Sequence, residues 1–387
     1  MNIPLIDLER VQSDIEHARG LPNHYYTTAE GYAQERDEVF GRNWAGVAFE
    51  SDLPDKGSIF PVQLAGMPLL AVRGRDDVIR VFHNVCSHRG VALAEEPTTL
   101  MGMLCCPYHS WTYDLTGKLV ATPHVGGVNK HKVEGIACEE HGLKEVRSHI
   151  WMGIIFVNLQ GNSGKFEERI GGLLERWSEF HPSGNYAALE ADAESGNWEQ
   201  ELACNWKLAV ENYCESYHLP WIHPGLNSYS KLDDHYNIVE KSYSGQGSTA
   251  YRLSEFEGYQ LPKIPDWPVE RIDNAEYISL YPNVLLGLQA DHAFAMLLLP
   301  QGPERTQERL RLFYMPGVIK DPATTAARTA VLNAWQEVFM EDIGVVEAMQ
   351  RGRHSPAFDG GKFSPVMDPP THAFHRWVAA ALEAKGV

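Results

Sequence analysis

The stretch that decides the fold reads CSHRG at residues 86–90 and CCPYH at residues 105–109. It places Cys86 two residues before His88 and, after seventeen intervening residues, Cys106 three residues before His109. Two thiols and two imidazoles, carried by two short loops, form a pattern that is typical of metal ligands. The sequence therefore predicts a metal centre that is held between these two loops.

The ligand types and their spacing favour a Rieske [2Fe–2S] centre, in which cysteines hold one iron and histidines hold the other. The alternative is a structural zinc site, but zinc fingers usually separate the cysteine pair from the histidine pair. Here each loop carries one cysteine and one histidine. Gly90 and Pro107 supply the turns, Trp111 can shield the cluster, and we interpret Cys105 as a small buried residue rather than a ligand.

Length and composition limit the classes of protein to which the chain can belong. With 387 residues, of which 44% are hydrophobic and 22% charged, the chain has room for two ordinary globular domains. Its net charge of −18 argues against nucleic acid as a partner and mildly favours a cationic over an anionic small-molecule substrate. No apolar run is long enough for a membrane span and no secretory signal is apparent. We therefore expect a cytoplasmic protein, and of the six cysteines the four outside the predicted metal centre show no disulfide spacing.

Hydrophobic patterning divides the chain into three parts and predicts an α+β fold. Residues 1–42 are expected to be helical, residues 43–160 to form an all-β domain that carries the two loops, and residues 166–387 to form a mixed domain. In the last part, the apolar run 293–299 predicts a buried strand that ends at Pro300. A long helix is predicted over about 322–351.

A second candidate metal site lies in residues 205–224. Glu215 and His218 are three residues apart, so they would share one face of a helix, whereas His223 would lie about 140° further round. Pro220 disfavours helical geometry at Leu219, which would let the chain turn His223 back towards His218. Paired histidines are also common as structural residues, but this pair suits an iron(II) site of the 2-His-1-carboxylate type.

The missing carboxylate is predicted on the late helix. Asp342 falls within an apolar stripe of helical spacing, which is formed by Trp335, Val338, Phe339, Val346 and Met349. A carboxylate on a buried face needs a cation or several hydrogen-bond donors. A salt bridge to a core Arg or Lys is the alternative. Glu341 lies towards another face, so Asp342 is the predicted ligand.

Together these motifs resemble the α-subunits of the Rieske non-haem iron oxygenases, across nearly the whole chain. The resemblance rests on residues 83–90, 106–109 and 205–223, and on Asp342 with Glu347 and residues 350–352. It implies a Rieske domain, a helix-grip catalytic domain, one [2Fe–2S] cluster and one mononuclear Fe(II) per chain. It also implies a mono- or dioxygenase that receives electrons from an NAD(P)H-dependent reductase of flavin or ferredoxin type. The expected assembly is a head-to-tail homotrimer.

The resemblance also implies roles for individual residues. Glu215 would bridge the iron ligand His218 to a cluster histidine of the next subunit, and Asn212 would lie near the iron. A carboxylate placed between two metal-bound imidazoles can accept an N–H from each and orient both. The alternative for Glu215 is an exposed helical acid. Ser110 stands where the family usually has glycine, which implies altered hydrogen bonding at the cluster.

Within the family, the chain resembles the enzymes that act on quaternary ammonium compounds such as choline, betaines and carnitine. The implied reaction is hydroxylation or oxidative N-demethylation. The aromatic residues Tyr213, Tyr217, Trp221 and Tyr229 could supply cation–π contacts to a methylammonium group, or could simply be core residues. The alternatives are an oxygenase that acts on an aromatic acid and a Rieske electron carrier without oxygenase activity.

Overall fold

The computed structural model of the protein describes residues 5–358 and 360–383. Residues 1–4 and 384–387, at the ends of the predicted first and last domains, lie outside the described residues, as does residue 359. The domain limits at residues 42, 160 and 166 remain predictions. No helix among the described residues is both long and apolar enough to cross a membrane.

Short helices form the N-terminal part of the chain, α1 (Leu5–Gln12), α2 (His24–Thr27) and α3 (Ala29–Glu35). The Thr28 side chain accepts a hydrogen bond from the Gly31 amide at 3.0 Å and so caps α3. A π-helical turn over Arg36–Phe40 then leads into the first sheet.

The first sheet carries the two cysteine–histidine loops. It is antiparallel, in the order β1-β10-β9-β4-β3-β2-β5, and a small three-stranded sheet, β6-β7-β8, lies beside it. The ten strands are β1 (Ala45–Phe49), β2 (Ser58–Leu64), β3 (Met67–Arg73), β4 (Ile79–His83), β5 (Thr98–Thr99), β6 (Met103–Cys105), β7 (Thr112–Asp114), β8 (Leu119–Ala121), β9 (Glu145–Trp151) and β10 (Ile154–Asn158). One loop follows β4 and the other connects β6 to β7.

The second sheet is a larger antiparallel sheet, in the order β11-β18-β17-β16-β15-β14-β13, with β12 paired to β18. Its strands are β11 (Glu190–Ala191), β12 (Asn197–Leu202), β13 (His235–Val239), β14 (Tyr243–Ser248), β15 (Ala275–Leu280), β16 (Val284–Leu288), β17 (Ala293–Gly302) and β18 (Arg305–Tyr314). The helices of this part are α4 (Phe166–Trp177), α5 (Trp206–Tyr213), α6 (Leu219–Ile222), α7 (Leu226–Tyr229), α8 (Leu253–Glu257), α9 (Thr325–Gly352) and α10 (Pro369–Glu383). A β-sheet domain followed by a sheet with packed helices matches the predicted fold class.

The prediction that Pro300 ends its strand is wrong. Strand β17 continues through Pro300 to Gly302, and Pro300 lies opposite Thr306 in the ladder with β18. The register shifts between Pro300 and Gly302, next to the turn that joins the two strands. An irregularity of this kind tolerates a residue without an N–H, which a central strand position does not.

Two hydrophobic cores organise the molecule. The larger core runs from the N-terminal helices through β1 and β10 into the second sheet and its helices. The smaller core lies under the two loops and includes Cys86, Cys106, Trp111 and Tyr113. The cluster loops therefore stand on a core of their own.

Buried polar contacts fix the first sheet against the second. The Asn283 side chain accepts from the Gly46 amide at 3.0 Å and donates to the Gly46 carbonyl at 2.8 Å. The Asp52 carboxylate receives Arg309 and Arg311, each at 2.9 Å, and all three side chains are buried. These contacts hold the first sheet in one orientation on the second.

Two buried charges anchor helix α5. The Lys207 ammonium, which is fully buried, pairs with Glu35 of α3. The Glu211 carboxylate pairs with Arg353, just beyond α9, at 3.0 Å, and with His375 of α10 at 3.1 Å. Burial raises the pKa of Glu211, but His375 and Arg353 outweigh burial and hold this pKa at about 2. Helix α5 is thereby tied to three other helical segments.

We expect Glu211→Gln to lower the free energy of unfolding by about 3–5 kcal/mol at pH 7, because Arg353 stays buried without its carboxylate. Urea unfolding followed by tryptophan fluorescence measures this change. Since the folded pKa of Glu211 lies below its ordinary value of 4.5, the stabilisation is complete above about pH 4.5 and is lost as the pH falls towards 2.

The matched control is Glu201→Gln, which removes the partner of Arg305 in an ion pair whose two side chains are more than half exposed. This control should change the free energy of unfolding by less than about 1 kcal/mol. Equal effects of the two substitutions would contradict an anchoring role for Glu211.

Candidate functional site

The two cysteine–histidine loops share one backbone design. In each loop the cysteine is buried, and its carbonyl accepts a hydrogen bond at 3.0 Å from the amide four residues on, Gly90 in one loop and Ser110 in the other. Both of these residues adopt left-handed backbone angles, with φ of 75° at Gly90 and 55° at Ser110. Glycine adopts left-handed backbone angles without steric cost, which explains why glycine is expected at this position. Ser110 adopts the same angles although its Cβ makes them less favourable.

The histidines of the two loops face each other. The rings of His88 and His109 lie 4.7 Å apart, and His88 stacks on Trp111 at 4.8 Å. Nδ1 of His109 is buried and has no hydrogen-bond partner among the described residues. A buried imidazole nitrogen without a partner fits a metal ligand, so the four residues fit the predicted cluster. The interpretation of Cys105 as a buried residue is wrong, because its side chain is exposed and faces Thr112 across the β6–β7 pair.

The second candidate site brings His218, His223 and Asp342 together. One ligand atom from each of these residues lies within 4.8 Å of the other two. Nε2 of His223 is 3.2 Å from Nε2 of His218 and 3.0 Å from Oδ1 of Asp342, and the His218–Asp342 distance is 3.7 Å. Two imidazoles and one carboxylate on one side of a point leave room for further ligands, which is the arrangement of non-haem iron(II) sites.

The local geometry of the histidine segment differs from the prediction. Helix α5 ends at Tyr213, so Glu215 and His218 do not share a helix face, and a turn over residues 214–218 brings them together instead. Leu219 is helical, since it begins α6 and Pro220 lies in the first helical turn, where its missing N–H has no intrahelical partner to lose. His218 and His223 therefore flank a single turn of helix, which points both rings at Asp342.

Neighbouring polar side chains orient the three candidate ligands. Nδ1 of His218 lies 2.7 Å from Glu215, and Nδ1 of His223 lies 2.7 Å from Glu341. Asn212 donates to Oδ1 of Asp342 at 3.1 Å. A carboxylate behind each imidazole fixes the ring and leaves Nε2 free to bind a metal.

Glu341 contacts the candidate iron site in a way that the sequence analysis did not predict. It lies one position before Asp342 on α9, and its long side chain reaches His223 although a helical projection places it to one side. Burial lowers the pKa of His223, but Asp342 and Glu341 outweigh burial and raise this pKa above its ordinary value. The sequence feature that could have revealed this contact is the pair of adjacent acidic residues, Glu341 and Asp342, on a helix that faces two histidines.

A cavity with four aromatic side chains in its lining, called the aromatic cavity below, adjoins the three candidate ligands. Apart from His218, His223 and Asp342, its lining residues are Asn212, Tyr213, Leu219, Leu226, His235, Gln246, Tyr277, Trp335, Val338 and Phe339. None of the described residues in this lining is Lys or Arg. The side chains of Tyr213, Tyr277, Trp335 and Phe339 supply the aromatic surface.

Only one of the four aromatic residues proposed for substrate contact lines this cavity, and that is Tyr213. Tyr217 and Trp221 are 46% and 69% exposed and pack edge to face on the surface. Tyr229 packs against Tyr251. Tyr217, Trp221 and Tyr229 are therefore placed elsewhere.

A two-loop Cys/His centre on a β-sheet domain, joined to a His–His–Asp site beside a helix-covered sheet, defines a Rieske-type iron oxygenase. Residues 43–132 match the family model of the Rieske [2Fe-2S] domain. Residues 189–384, just over half of the chain, match the model of the ring hydroxylating alpha subunit catalytic domain. The chain belongs to this family of oxidoreductases, whose members hold a [2Fe–2S] cluster and a mononuclear iron.

Characterised relatives with similar sequences act on quaternary ammonium compounds, as their names state. The chain is 27% identical to the chloroplastic choline monooxygenase of Arabidopsis thaliana, over 93% of this chain and 82% of the relative. It is 28% identical to the glycine betaine monooxygenase oxygenase subunit of Chromohalobacter salexigens, over 94% and 85%. It is 25% identical to the carnitine monooxygenase oxygenase subunit of Escherichia coli K12, over 89% and 87%.

Solved structures show the same fold. The quaternary ammonium Rieske monooxygenase CntA superposes with a TM-score of 0.79 at 22% identity, over 99% of this chain and all of that one. Naphthalene 1,2-dioxygenase superposes with a TM-score of 0.75 at 16% identity, over 96% and 94%. The two-part architecture is thus common to oxygenases with quite different substrates.

We expect Glu341→Gln to weaken the binding of mononuclear iron by about 10–100-fold, because the His223 ring loses the carboxylate that orients it. Iron content after dialysis against a graded chelator series measures this loss, and the visible absorption of the cluster should be unchanged. Glu337→Gln, one turn earlier on α9 and exposed, is the matched control and should retain iron like the unmodified protein. Equal retention by Glu341→Gln would show that the contact does not support the site.

Proposed function

We propose that this chain is an oxygenase component that uses O₂ and externally supplied electrons to hydroxylate or oxidatively N-demethylate a small quaternary ammonium compound. The observation that carries the proposal is the aromatic cavity beside His218, His223 and Asp342. An aromatic surface without Lys or Arg suits a methylammonium cation through cation–π contacts. It does not suit an aromatic acid, whose carboxylate needs a cation, and so the alternative substrate class is disfavoured.

Each metal has its own set of ligands in this proposal. Cys86, His88, Cys106 and His109 hold the [2Fe–2S] cluster, and His218, His223 and Asp342 hold the mononuclear iron. When bound, the cluster supplies single electrons and the iron supplies the oxygen chemistry. The chain itself orients the ligands through Glu215, Glu341 and Asn212, binds the substrate and keeps water out of the cavity.

Tyr213, Tyr277, Trp335 and Phe339 position the substrate in this proposal. Their rings surround the space next to the iron ligands and would hold an N-methyl group there. That space is only about 40 Å³, so substrate binding must widen it. Tyr251 stacks on Trp335 at 5.9 Å towards an outer cavity, and this is the contact that would open.

Electrons would reach the iron through Glu215. Its Oε1 receives His218, while Oε2 receives the backbone amides of Tyr217 and His218. Oε1 has capacity for a second N–H, which a cluster histidine of a neighbouring subunit could donate. The exposed aromatic side chains of Tyr217 and Trp221 beside Glu215, and of Tyr108 beside His109, supply apolar surface for a head-to-tail homotrimer.

The remaining partners and the location complete the proposal. An NAD(P)H-dependent reductase of flavin or ferredoxin type would supply the electrons. None of the six cysteines forms a disulfide, which is in keeping with a cytoplasmic protein.

We expect Glu215→Gln, loaded with excess Fe(II) so that both metals are bound, to lower substrate turnover by about 10–100-fold. Its carboxamide has one accepting oxygen where the carboxylate has two, so it cannot accept from the backbone amides and from the imidazoles together. Formaldehyde release from a panel of trimethylammonium compounds measures turnover, and iron analysis measures the metals. Glu240→Gln, an exposed substitution of the same type, should behave as the unmodified protein. Normal turnover of Glu215→Gln would contradict a bridging role for Glu215.

We also expect three irons per chain, two in the cluster and one at the histidine–aspartate site. An electron carrier without oxygenase activity would bind only the first two. Asp342→Ala should reduce the iron content to two while the spectrum of the reduced cluster persists. Two irons in the fully loaded unmodified protein would favour the electron-carrier alternative.

A further inference from the structure

Two buried polar side chains near the aromatic cavity lack hydrogen-bonding neighbours other than each other. Tyr277 is 5% exposed, and Gln289 is the one side-chain hydrogen-bonding neighbour of its hydroxyl among the described residues. Gln289 is 1% exposed, and no other described residue pairs with its amide nitrogen or its amide oxygen. A carboxamide offers two N–H donors and an accepting oxygen, so a contact with one hydroxyl leaves buried hydrogen-bonding capacity that a ligand can satisfy.

The strand register places these two residues side by side. Tyr277 on β15 lies opposite Gly287 on β16, and Gln289 comes two residues after Gly287. Side chains two residues apart on a strand point to the same face, so Gln289 is the diagonal neighbour of Tyr277 on the face that carries the cavity. Gly287 leaves this face open for Phe294, which would lie 2.1 Å from a Cβ at that position.

The pair also connects two cavities. Tyr277 lines the aromatic cavity beside the candidate iron ligands, and Gln289 lines an outer cavity of about 560 Å³. A substrate whose ammonium group lies against the aromatic rings would therefore extend its other end towards Tyr277 and Gln289. Burial raises the pKa of Tyr277 well above its ordinary value, so its hydroxyl stays neutral and able to donate.

The charged residues around Tyr277 and Gln289 indicate which kind of substrate group these two residues can bind. Among the described residues that line the two cavities, the one Lys or Arg is Lys263, and its ammonium already pairs with Asp291 at 2.9 Å. The other acidic residues of the outer cavity are Glu255 and Asp273, and Asp273 pairs with Arg252 at 2.9 Å. A substrate carboxylate would meet no free cation and would face negative charge, whereas an uncharged hydroxyl can pair with both a donor and an acceptor.

We propose that the Tyr277 hydroxyl and the Gln289 carboxamide form a subsite for the uncharged polar end of the substrate, which selects a hydroxylated quaternary ammonium over its carboxylated counterpart. The inference rests on the proposed function, because it assumes an ammonium group at the aromatic cavity. It goes further by assigning two specificity-determining residues and by choosing between two kinds of ammonium compound.

Three ligands with the same trimethylammonium group test the subsite, namely choline, glycine betaine and n-propyltrimethylammonium, in which a methyl group replaces the choline hydroxyl. Titration calorimetry on the holoenzyme without oxygen measures their dissociation constants. We expect choline to bind about tenfold more tightly than n-propyltrimethylammonium, since one buried hydrogen-bonded group is lost. Choline should also bind more tightly than glycine betaine.

Substitutions of Gln289 and Tyr277 test whether these two residues cause the preference for choline. Gln289→Met should abolish the advantage of choline over n-propyltrimethylammonium while the affinity for the latter stays the same. Tyr277→Phe provides a second variant should Gln289→Met fail to fold. Gln63→Met, an exposed substitution of the same type on β2 and outside both cavities, is the matched control and should leave all three affinities unchanged.

Failure of the inference and failure of the proposed function give different results. Tighter or equal binding of glycine betaine, or a choline preference that survives both variants, overturns the subsite and leaves the ammonium substrate standing. If none of the three ligands binds, the proposed substrate class is wrong and the subsite falls with it.

Discussion

The register between helices α5 and α9 is the constraint on which the candidate iron site depends. At one end of the pair, Gln350 accepts from the Asn205 amide and Glu347 from the Ala203 amide, both at 3.0 Å. The buried charges of Lys207 and Glu211 add contacts to the N-terminal helices and to α10. With these contacts in place, the turn that follows α5 meets α9 at Asp342. Hydrogen bonds and ion pairs are directional, so these buried contacts allow little movement of α5 along α9. Hydrophobic packing alone would allow more movement.

The two candidate metal sites differ in how far their geometry could be predicted from the sequence. The cluster loops are local structures, so the spacing of Cys86, His88, Cys106 and His109 was informative by itself. Asp342 was predictable because helical periodicity placed a carboxylate within an apolar stripe. The break after Tyr213 was not predictable, because Pro220 is compatible both with leaving a helix and with starting one.

Side-chain reach and strand pairing account for the rest of what the sequence did not reveal. Glu341 contacts His223 because a glutamate side chain bridges the angle that a helical projection assigns to it. The aromatic residues of the cavity lie on different elements, for example Tyr277 on β15 and Trp335 on α9. Only the tertiary fold brings them together. Aromatic residues close to the histidines in sequence, such as Trp221, are instead exposed on the surface. Proximity along the chain was therefore a poor guide to the aromatic cavity, although it was a good guide to the Cys–His and His–His pairs of the candidate metal sites.

The five-residue turn over residues 214–218 has a consequence for how this protein can vary. The turn sets the position of His218 relative to the end of α5, so its length acts as a spacer between an anchored helix and a candidate iron ligand. Substitutions at its exposed positions are compatible with that role, but an insertion or deletion of one residue would turn the imidazole away from Asp342. Residues 126–135, by contrast, form a largely exposed loop in the first domain and offer a site where added residues or a label can be tolerated.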